Sequence, residues 1–220
     1  MELIPPESAL QREVFCRITA WIKERNMVSQ LKLDIVSDVS CPWCIIGYKS
    51  IEKALNQLPK QIHYTLDWQP FELNPNIPQE GEDLHQHLIK KYALTAQQVD
   101  DNHDMITQRG ADLGFQFKFQ PTHRIYNTFD AHRLLHWARE EQKQTELKLA
   151  LFTLYFSEQG NPSDPDDLLK CIGKVGLPVD KAKSIIESDL YADRVREREG
   201  EYRALGVSSV PTFIINDKYS

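Results

Sequence analysis

The sequence predicts an α/β fold that is interrupted by a long helical insertion. Three observations support this interpretation. A strand, a helix and a second strand occupy residues 31–71, helical patterns then dominate residues 81–205, and a strand pattern returns at residues 210–215. Two strands joined through one helix normally pair in parallel. We therefore assign residues 31–80 and 206–220 to one α/β domain and residues 81–205 to the insertion.

The composition is typical of a globular protein, with 220 residues, of which 41% are hydrophobic and 26% charged. A net charge of -6 and the lack of a Lys/Arg cluster argue against binding to nucleic acid. No apolar run approaches the roughly 20 residues of a membrane span. Charged residues such as Glu2, Glu7 and Arg12 interrupt the N-terminus, which is unlike a secretory signal. We expect a cytoplasmic protein with no membrane partner.

Residues 1–30 form an N-terminal extension ahead of the α/β pattern. Ser8 and Gln11 have the spacing of a capping box. Apolar residues then recur at helical intervals on one face. They are Leu10, Val14, Ile18, Trp21 and Ile22. This pattern predicts an amphipathic helix over residues 9–25.

The segment Cys41-Pro42-Trp43-Cys44 follows the first strand, residues 31–37, and begins a helix that continues to about residue 58. A Cys-x-x-Cys pair at such a junction is typical of thiol–disulfide exchange. Pro42 suits the first helical position, where its missing N–H removes no hydrogen bond. We expect Cys41 to be exposed at the helix end, where the helix dipole lowers the thiol pKa, and Cys44 to lie one turn inside.

Two other interpretations of the pair stay open at this point. The first is half of a structural zinc site, which needs a second close pair of Cys or His. Cys16 and Cys171 are single and distant, so no second pair is evident and we expect no metal. The second is a pair of core cysteines without chemistry. Cys16 and Cys171 themselves are expected to be small buried hydrophobic residues.

The remaining elements follow from periodicity and from turn residues. An aromatic, β-branched second strand covers residues 63–71. Thr95 and Gln98 form a capping-box pair that begins a helix ending near Gly110. The other predicted elements are an extended piece at 114–119, helices at 126–141, 146–156, 180–188 and 191–205 with another after the loop at 160–165, a last strand at 210–215 and a turn at 216–218.

Two motifs together resemble the DsbA-like thioredoxin superfamily, specifically its cytosolic FrnE-like branch. They are the Cys41–Cys44 segment and the run Gly206-Val207-Ser208-Ser209-Val210-Pro211-Thr212 before the last strand. Residues 70–75, 127–135 and 151–156 resemble further segments of that branch. The resemblance covers about residues 31–220.

The resemblance implies a thioredoxin-like fold with a large all-helical insertion between the βαβ half and a strand that begins with a cis-proline. It also implies thiol–disulfide oxidoreductase activity on protein or small-molecule disulfides. No cofactor beyond the redox-active cysteine pair is implied, although glutathione is a candidate co-substrate. Glutathione or thioredoxin is a candidate reducing partner.

The resemblance further implies the residues of the site. Cys41 and Cys44 are the catalytic pair, and Val210–Pro211 is a cis peptide facing them. A substrate strand is expected to pair with the backbone of Val210 by β-addition. The substrate-binding candidates are Pro42, Trp43, Val210, Pro211, Asn127 and His132. His132 and His136 also have the spacing of two metal ligands on one helix face, but a structural or substrate-lining role is favoured.

The sequence departs from the family at both ends. The family continues past the last hairpin into a C-terminal helix, whereas this sequence stops at Ser220, so we expect that helix to be absent. Two rival functions also remain. One is a glutathione-dependent isomerase or transferase of the kappa class, similar to 2-hydroxychromene-2-carboxylate isomerase, which usually carries Ser at the position of Cys41. The other is a non-catalytic module that binds a partner.

Overall fold

The computed structural model describes residues 30–59 and 62–218. Residues 1–29, with Cys16 and the helix predicted at 9–25, lie outside the described residues, as do 60–61 and 219–220. The prediction of an α/β fold with a helical insertion is confirmed. None of the helices in the two described stretches combines the length and the apolar character needed to span a lipid bilayer.

The central sheet has three strands in the order β2-β1-β5. Strand β1 (Gln30–Ser37) and strand β2 (His63–Pro70) pair in parallel, from Gln30 opposite His63 to Ser37 opposite Pro70. Strand β5 (Thr212–Ile215) pairs antiparallel on the other side of β1. Both faces of the sheet are covered around β1, so its residues form a nearly continuous buried run rather than an alternating one.

Helix α1 (Pro42–Leu55) follows β1 after a short turn and packs its apolar side into the core. It begins where the sequence predicts, with Pro42 at the first helical position. One hydrophobic cluster joins β1 and α1 to aromatic residues of the insertion, including Phe117, Phe152 and Phe156. The sheet and the insertion therefore share a core, which fixes their relative position beside the cysteines.

Besides its helices, the insertion contains one pair of two-residue antiparallel strands, β3 (Glu82–Asp83) and β4 (Arg124–Ile125). Its helices α2 to α8 are Leu84–Tyr92, Ala96–Asp112, Phe129–Glu140, Gln144–Phe156, Pro165–Lys174, Val179–Ile186 and Ala192–Ala204. The predicted capping box of α3 is present, with Thr95 and Gln98 bonded reciprocally. A second hydrophobic cluster lies among α4, α5, α6 and α7.

Helix α8 packs against the sheet, where its Tyr202 contacts the cluster of Val36 and Phe71. The boundary between 205 and 206, and the domain division as a whole, stay a prediction. The predicted extended piece at 114–119 forms no strand, although Phe115 and Phe117 are buried there. Its backbone is held instead by the end of α5, since Lys118 N donates to Phe156 O at 2.8 Å.

The turn predicted at residues 216–218 follows β5 directly. Asn216 and Asp217 both have positive φ angles, of 50° and 56°. Two successive residues in this region are typical of a type I′ turn, which Asn and Asp tolerate better than most residues. The Asn216 side chain also accepts a hydrogen bond from Lys32 N at 2.8 Å, which ties the turn to β1.

Candidate active site

The two cysteines lie at the start of α1. Cys41 is the N-cap residue with extended backbone angles, and Cys44 N donates to Cys41 O at 3.1 Å in the first turn. Both thiols are free. This arrangement brings the two sulfurs together at a helix N-terminus, where unpaired N–H groups favour an anion.

The expectation that Cys41 is exposed is wrong. Cys41 is 3% exposed and Cys44 is fully buried. The loop before β5 lies against the first cysteine, and the Cys41 thiol donates a hydrogen bond to the carbonyl oxygen of Val210 at 3.5 Å. The sequence pattern of α1 gave no sign of this cover, because it comes from the far end of the chain.

The loop that carries Val210 is held in place by close packing behind the cysteines. The Val210–Pro211 peptide bond is cis. A Cβ atom on Gly47 in α1 would lie 2.8 Å from the ring of Phe213 and 3.3 Å from the ring of Pro211. Only glycine therefore leaves room for this loop and for β5 to approach α1 so closely.

The two thiols titrate as a coupled pair, and one sulfur stabilises the anion on the other. The hydrogen bond with Cys44 and burial raise the pKa of Cys41 well above its usual value. Burial also raises the pKa of Cys44, but the hydrogen bond from Cys41, the charge of Lys148 and the hydroxyl of Ser37 lower it overall. The pair therefore loses its first proton easily and its second with difficulty. The expectation of a lowered pKa on Cys41 itself is not supported.

Asp38 places a buried negative charge near the cysteines. Its carboxylate accepts hydrogen bonds from Leu73 N at 2.7 Å, Thr128 Oγ1 at 2.9 Å and Ser40 N at 3.3 Å. Burial alone would raise the pKa of Asp38, but His132, the Leu73 N–H and the positive charge of Lys148 lower it to about 2. Asp38 is therefore ionised throughout the physiological range.

Lys148, on α5, places a positive charge near the cysteine pair. It is 1% exposed, and its Nζ atom donates to Ser37 O at 3.4 Å. Burial lowers the pKa of Lys148 to about 8, although the nearby charges of Cys44 and Asp38 act in the opposite direction. A lysine in this state can release or accept a proton near neutral pH.

The family of the chain follows from its sequence and this geometry together. The sequence profile of the DSBA-like thioredoxin domain matches residues 32–220, which include both cysteines and the loop of Val210. The chain belongs to this family. It is a family of DsbA-like thiol–disulfide oxidoreductases, within which some members are isomerases.

Individual relatives agree with the family. The uncharacterized protein YwbO of Bacillus subtilis (strain 168) is 29% identical over 186 residues, 84% of this chain and 86% of its own. The crystal structure of a probable DsbA oxidoreductase, SCO1869 from Streptomyces coelicolor, has a TM-score of 0.81 with 28% identity and covers 86% of this chain and 82% of its own. A 2-hydroxychromene-2-carboxylate isomerase shares the fold at a TM-score of 0.63 with 14% identity, over 85% of this chain and 86% of its own.

The other residues expected at the DsbA-like site differ in how they are placed. Trp43 is partly buried against the core, and the Arg109 guanidinium lies 5.4 Å from its ring centroid. His132 is buried, with Nε2 3.5 Å from Asp38 Oδ1. Asn127 is hydrogen-bonded within the fold, since its amide donates to Pro75 O at 3.2 Å and its oxygen accepts from Phe129 N at 2.8 Å.

His136, the second histidine with ligand spacing, and Cys171 occupy packing positions. His136 lies against Tyr191, with ring centroids 5.2 Å apart. Cys171 is fully buried, and its thiol points to Ala150 O at 3.8 Å, as expected of a small core residue. Across the part of the chain that the structure describes, no three His, Cys, Asp or Glu side chains are grouped as metal ligands.

Sequence reasoning missed Asp38 and Lys148, which supply the charges of the site. Asp38 had a weak signal, because it is a polar residue directly after a buried strand and three positions before Cys41. Lys148 had a clearer one. It lies in the apolar helix α5 on the face shared by Leu151, Phe152 and Tyr155, where a lysine is out of place.

Proposed function

We propose that the protein is a thiol–disulfide oxidoreductase that works through Cys41 and Cys44. The observation that carries this proposal is the pair of free thiols at the N-terminus of α1, with Cys41 against the Val210 carbonyl. A second thiol one turn from the first lets an enzyme form and release mixed disulfides without another reagent.

In the proposed reaction, Cys41 attacks because its sulfur lies against Val210, where the substrate is proposed to dock, and the residue is 3% exposed, whereas Cys44 is fully buried. The Cys41 thiolate displaces one sulfur of a substrate disulfide, and a mixed disulfide forms while one substrate thiolate leaves. Cys44 then attacks the Cys41 sulfur, so that the Cys41–Cys44 bond forms and the second substrate thiolate leaves. The substrate gains two electrons and the cysteine pair loses two. The reverse sequence oxidises a dithiol.

Substrate docking is proposed at the backbone of Val210, with Pro42, Trp43 and Pro211 around it. An extended peptide can pair there by β-addition. The substrates are protein disulfides or small disulfides, and glutathione or thioredoxin is the proposed source of electrons for the next cycle. A cytoplasmic location and the absence of a further cofactor stay predictions from the sequence.

The main alternative is a glutathione-dependent isomerase. The similarity to 2-hydroxychromene-2-carboxylate isomerase concerns the fold alone at 14% identity and does not decide between the two activities. The second thiol distinguishes the two activities. An isomerase that binds glutathione as a cofactor has no reaction step in which Cys44 would take part. A non-catalytic module would likewise give no role to the coupling of the two thiols.

The test is to trap the mixed disulfide. Cys44→Ser should still attack a disulfide substrate but should accumulate the adduct on Cys41, whereas Cys41→Ser should lose exchange altogether. Cys171→Ser is the matched control, since Cys171 is also buried but lies elsewhere in the fold. Mass spectrometry of the adducts and the rate of insulin reduction are the measurements. Undiminished exchange by Cys41→Ser, or an unaffected Cys44→Ser, would reject the oxidoreductase mechanism.

A further inference from the structure

The last turn of α2 carries a lysine whose ammonium group is bonded to the loop that follows β2. Lys91 Nζ donates to Leu73 O at 3.0 Å and to Asn74 Oδ1 at 2.6 Å. A lysine ammonium has three donors, so one N–H is left beyond these two acceptors. Within the described stretches, no Asp or Glu oxygen lies within 4.0 Å of Lys91 Nζ. Its positive charge is therefore not compensated by a neighbouring carboxylate.

The same loop connects Lys91 to the first cysteine. Leu73 N donates to Asp38 Oδ2 at 2.7 Å, and Cys41 N donates to Asp38 O at 3.3 Å. Leu73 and Val210 also share their packing, since both contact the same two hydrophobic clusters, one of which contains Cys41. The ammonium group is therefore held on the part of the loop that borders the backbone where the substrate is proposed to dock.

The charges around the end of α2 agree with this placement. Partial desolvation lowers the pKa of Lys91, while the negative charges of Asp38 and Cys41 act in the opposite direction. Partial burial and the charge of Cys41 both raise the pKa of Tyr92, the next residue. Both residues are therefore close enough to the first sulfur to interact with its charge. Tyr92 is 51% exposed, and its ring centroid lies 5.5 Å from Lys91 Nζ.

A second cation lies beside the cysteine motif, on α3. The Arg109 guanidinium is 5.4 Å from the ring centroid of Trp43, and among the residues that the structure describes no Asp or Glu oxygen comes within 4.0 Å of it. Both side chains are partly exposed. Lys91 and Arg109 thus bring two uncompensated cations from separate helices to the rim of the Cys41 site, in a chain whose net charge is -6. A local positive surface on an acidic protein favours an anionic ligand.

We propose that Lys91 and Arg109 select substrate peptides that carry an acidic residue next to their reactive cysteine. The inference rests on the oxidoreductase function proposed above and adds a specificity to it. A peptide that pairs with the Val210 backbone projects successive side chains to opposite sides of its strand. The neighbours of its cysteine therefore point away from the sulfur, where a carboxylate can bind either cation and the Tyr92 ring offers an apolar contact. Neither cation takes part in the exchange of bonds.

The experiment compares the disulfides of three short peptides that differ only at the residue next to the cysteine, which is Asp, Asn or Lys. Blocked termini leave that side chain as the difference in charge. Reduced protein is mixed with each disulfide, and the rate constant of exchange is divided by the one for dithiothreitol, a neutral dithiol, which corrects for the reactivity of the disulfide itself. We expect the Asp peptide to react about 5-fold faster than the Asn peptide, as for a partly exposed ion pair, and the Lys peptide to react slowest.

Variants of the two cations test whether they cause this preference. Lys91→Met should lower the ratio of the Asp rate to the Asn rate, and a double variant with Arg109→Met should bring that ratio to about one. Lys90→Met is the matched control and should keep the wild-type ratio, since Lys90 is the neighbouring exposed lysine of the same helix. The Asn peptide is uncharged, so its unchanged rate shows that each variant is folded. Lys91→Gln replaces the Met variant if that one does not fold, because its amide can still donate a hydrogen bond.

The outcomes separate this inference from the function on which it rests. A wild-type protein that exchanges with none of the peptides would reject the oxidoreductase itself. Equal corrected rates for the three peptides, or a wild-type ratio in the double variant, would reject the selectivity alone. Oxidised glutathione is the last substrate, because its carboxylates belong to a small disulfide. If Lys91→Met slowed exchange with oxidised glutathione but not with the Asp peptide, the cation would serve a small substrate and the proposal would be overturned.

Discussion

The Cys41 thiol donates to the Val210 carbonyl oxygen at 3.5 Å, across 169 positions of sequence. A thiol is a weak donor, so this contact does little for stability. Its importance is positional, because it holds the first sulfur against a backbone carbonyl next to the strand edge where a substrate chain is proposed to bind. The contact also makes the environment of the sulfur depend on the packing of the loop before β5.

The coupling of the two thiols can be measured by titration. Cys41→Ala removes a hydrogen bond that stabilises the Cys44 anion. The remaining thiol, Cys44, should therefore titrate at a higher pH than the first of the two thiol titrations of the wild type. Cys44→Ala removes the main cause of the raised pKa of Cys41. Cys41 alone should therefore titrate at a lower pH than the second of the two thiol titrations of the wild type. Ultraviolet absorbance of the thiolates is the measurement. Single variants that titrate at the two wild-type positions would show that the thiols are independent.

The packing at Gly47 predicts opposite effects for two similar substitutions. Gly47→Ala introduces a methyl group 2.8 Å from the Phe213 ring. We expect a net loss of about 1–2 kcal/mol, because crowding exceeds the gain in helix propensity. Gly200→Ala in α8 meets nothing within 4 Å and should stabilise by about 0.5–1 kcal/mol. Urea denaturation measures both.

The activity of the Gly47 variant adds a second check. Since Pro211 lies 3.3 Å from the same methyl position, Gly47→Ala should also slow disulfide exchange, whereas Gly200→Ala should not. Equal gains in stability for the two variants, with unchanged exchange, would mean that β5 and its loop are not held against α1 in this way.

The elements of the fold were predictable where they depend on local pattern. The strand before Cys41, the proline at the start of α1 and the capping box of Thr95 and Gln98 all appear where expected. The start of α4 was less predictable. The helix expected from residue 126 begins at Phe129, because Asn127 forms a local turn with Phe129 N and the Thr128 hydroxyl bonds to Asp38 instead of capping the helix.

The site was predictable in its sulfurs but not in its charges. Cys41 and Cys44 belong to a four-residue motif that can be recognised directly in the sequence. Asp38 and Lys148 are 110 positions apart and come together only when α5 packs beside the end of β1, so no local pattern joins them. The burial of Cys41 was missed for the same reason, since its cover comes from Val210. Long-range packing decided each of these features.

The edge strand β2 depends on one side chain. Gln144 accepts a hydrogen bond from Trp68 N and donates one to Trp68 O, both at 2.9 Å, in place of a neighbouring strand. Gln144→Ala leaves both buried backbone groups without a partner, which should destabilise the fold by about 2–4 kcal/mol. Gln108→Ala is the control, because its amide bonds to Asp112 on the exposed surface. Similar unfolding midpoints for the two variants would contradict this role of Gln144.

Asp38 should give the protein a defined sensitivity to acid. Its pKa in the folded state is about 2, below the value of about 3.9 in an unfolded chain. A depressed carboxyl pKa stabilises the fold above the unfolded value, and that stabilisation disappears as the pH falls through the folded value. For Asp38 it amounts to about 2.5 kcal/mol, about half of which should be lost between pH 7 and about pH 3.

The comparison of Asp38→Asn with Asp104→Asn tests this assignment. Asn cannot ionise, and its NH₂ group replaces one carboxylate oxygen, so Asn can no longer accept both the hydrogen bond that Leu73 N donates to one oxygen of Asp38 and the one that Thr128 Oγ1 donates to the other. Asp38→Asn should therefore be less stable at neutral pH and should lose about 1 kcal/mol less on acidification than the wild type. Asp104 is exposed on α3, so its variant should follow the wild type at both pH values. Parallel acid profiles for all three proteins, measured by urea unfolding, would show that the Asp38 carboxylate is not the group that titrates.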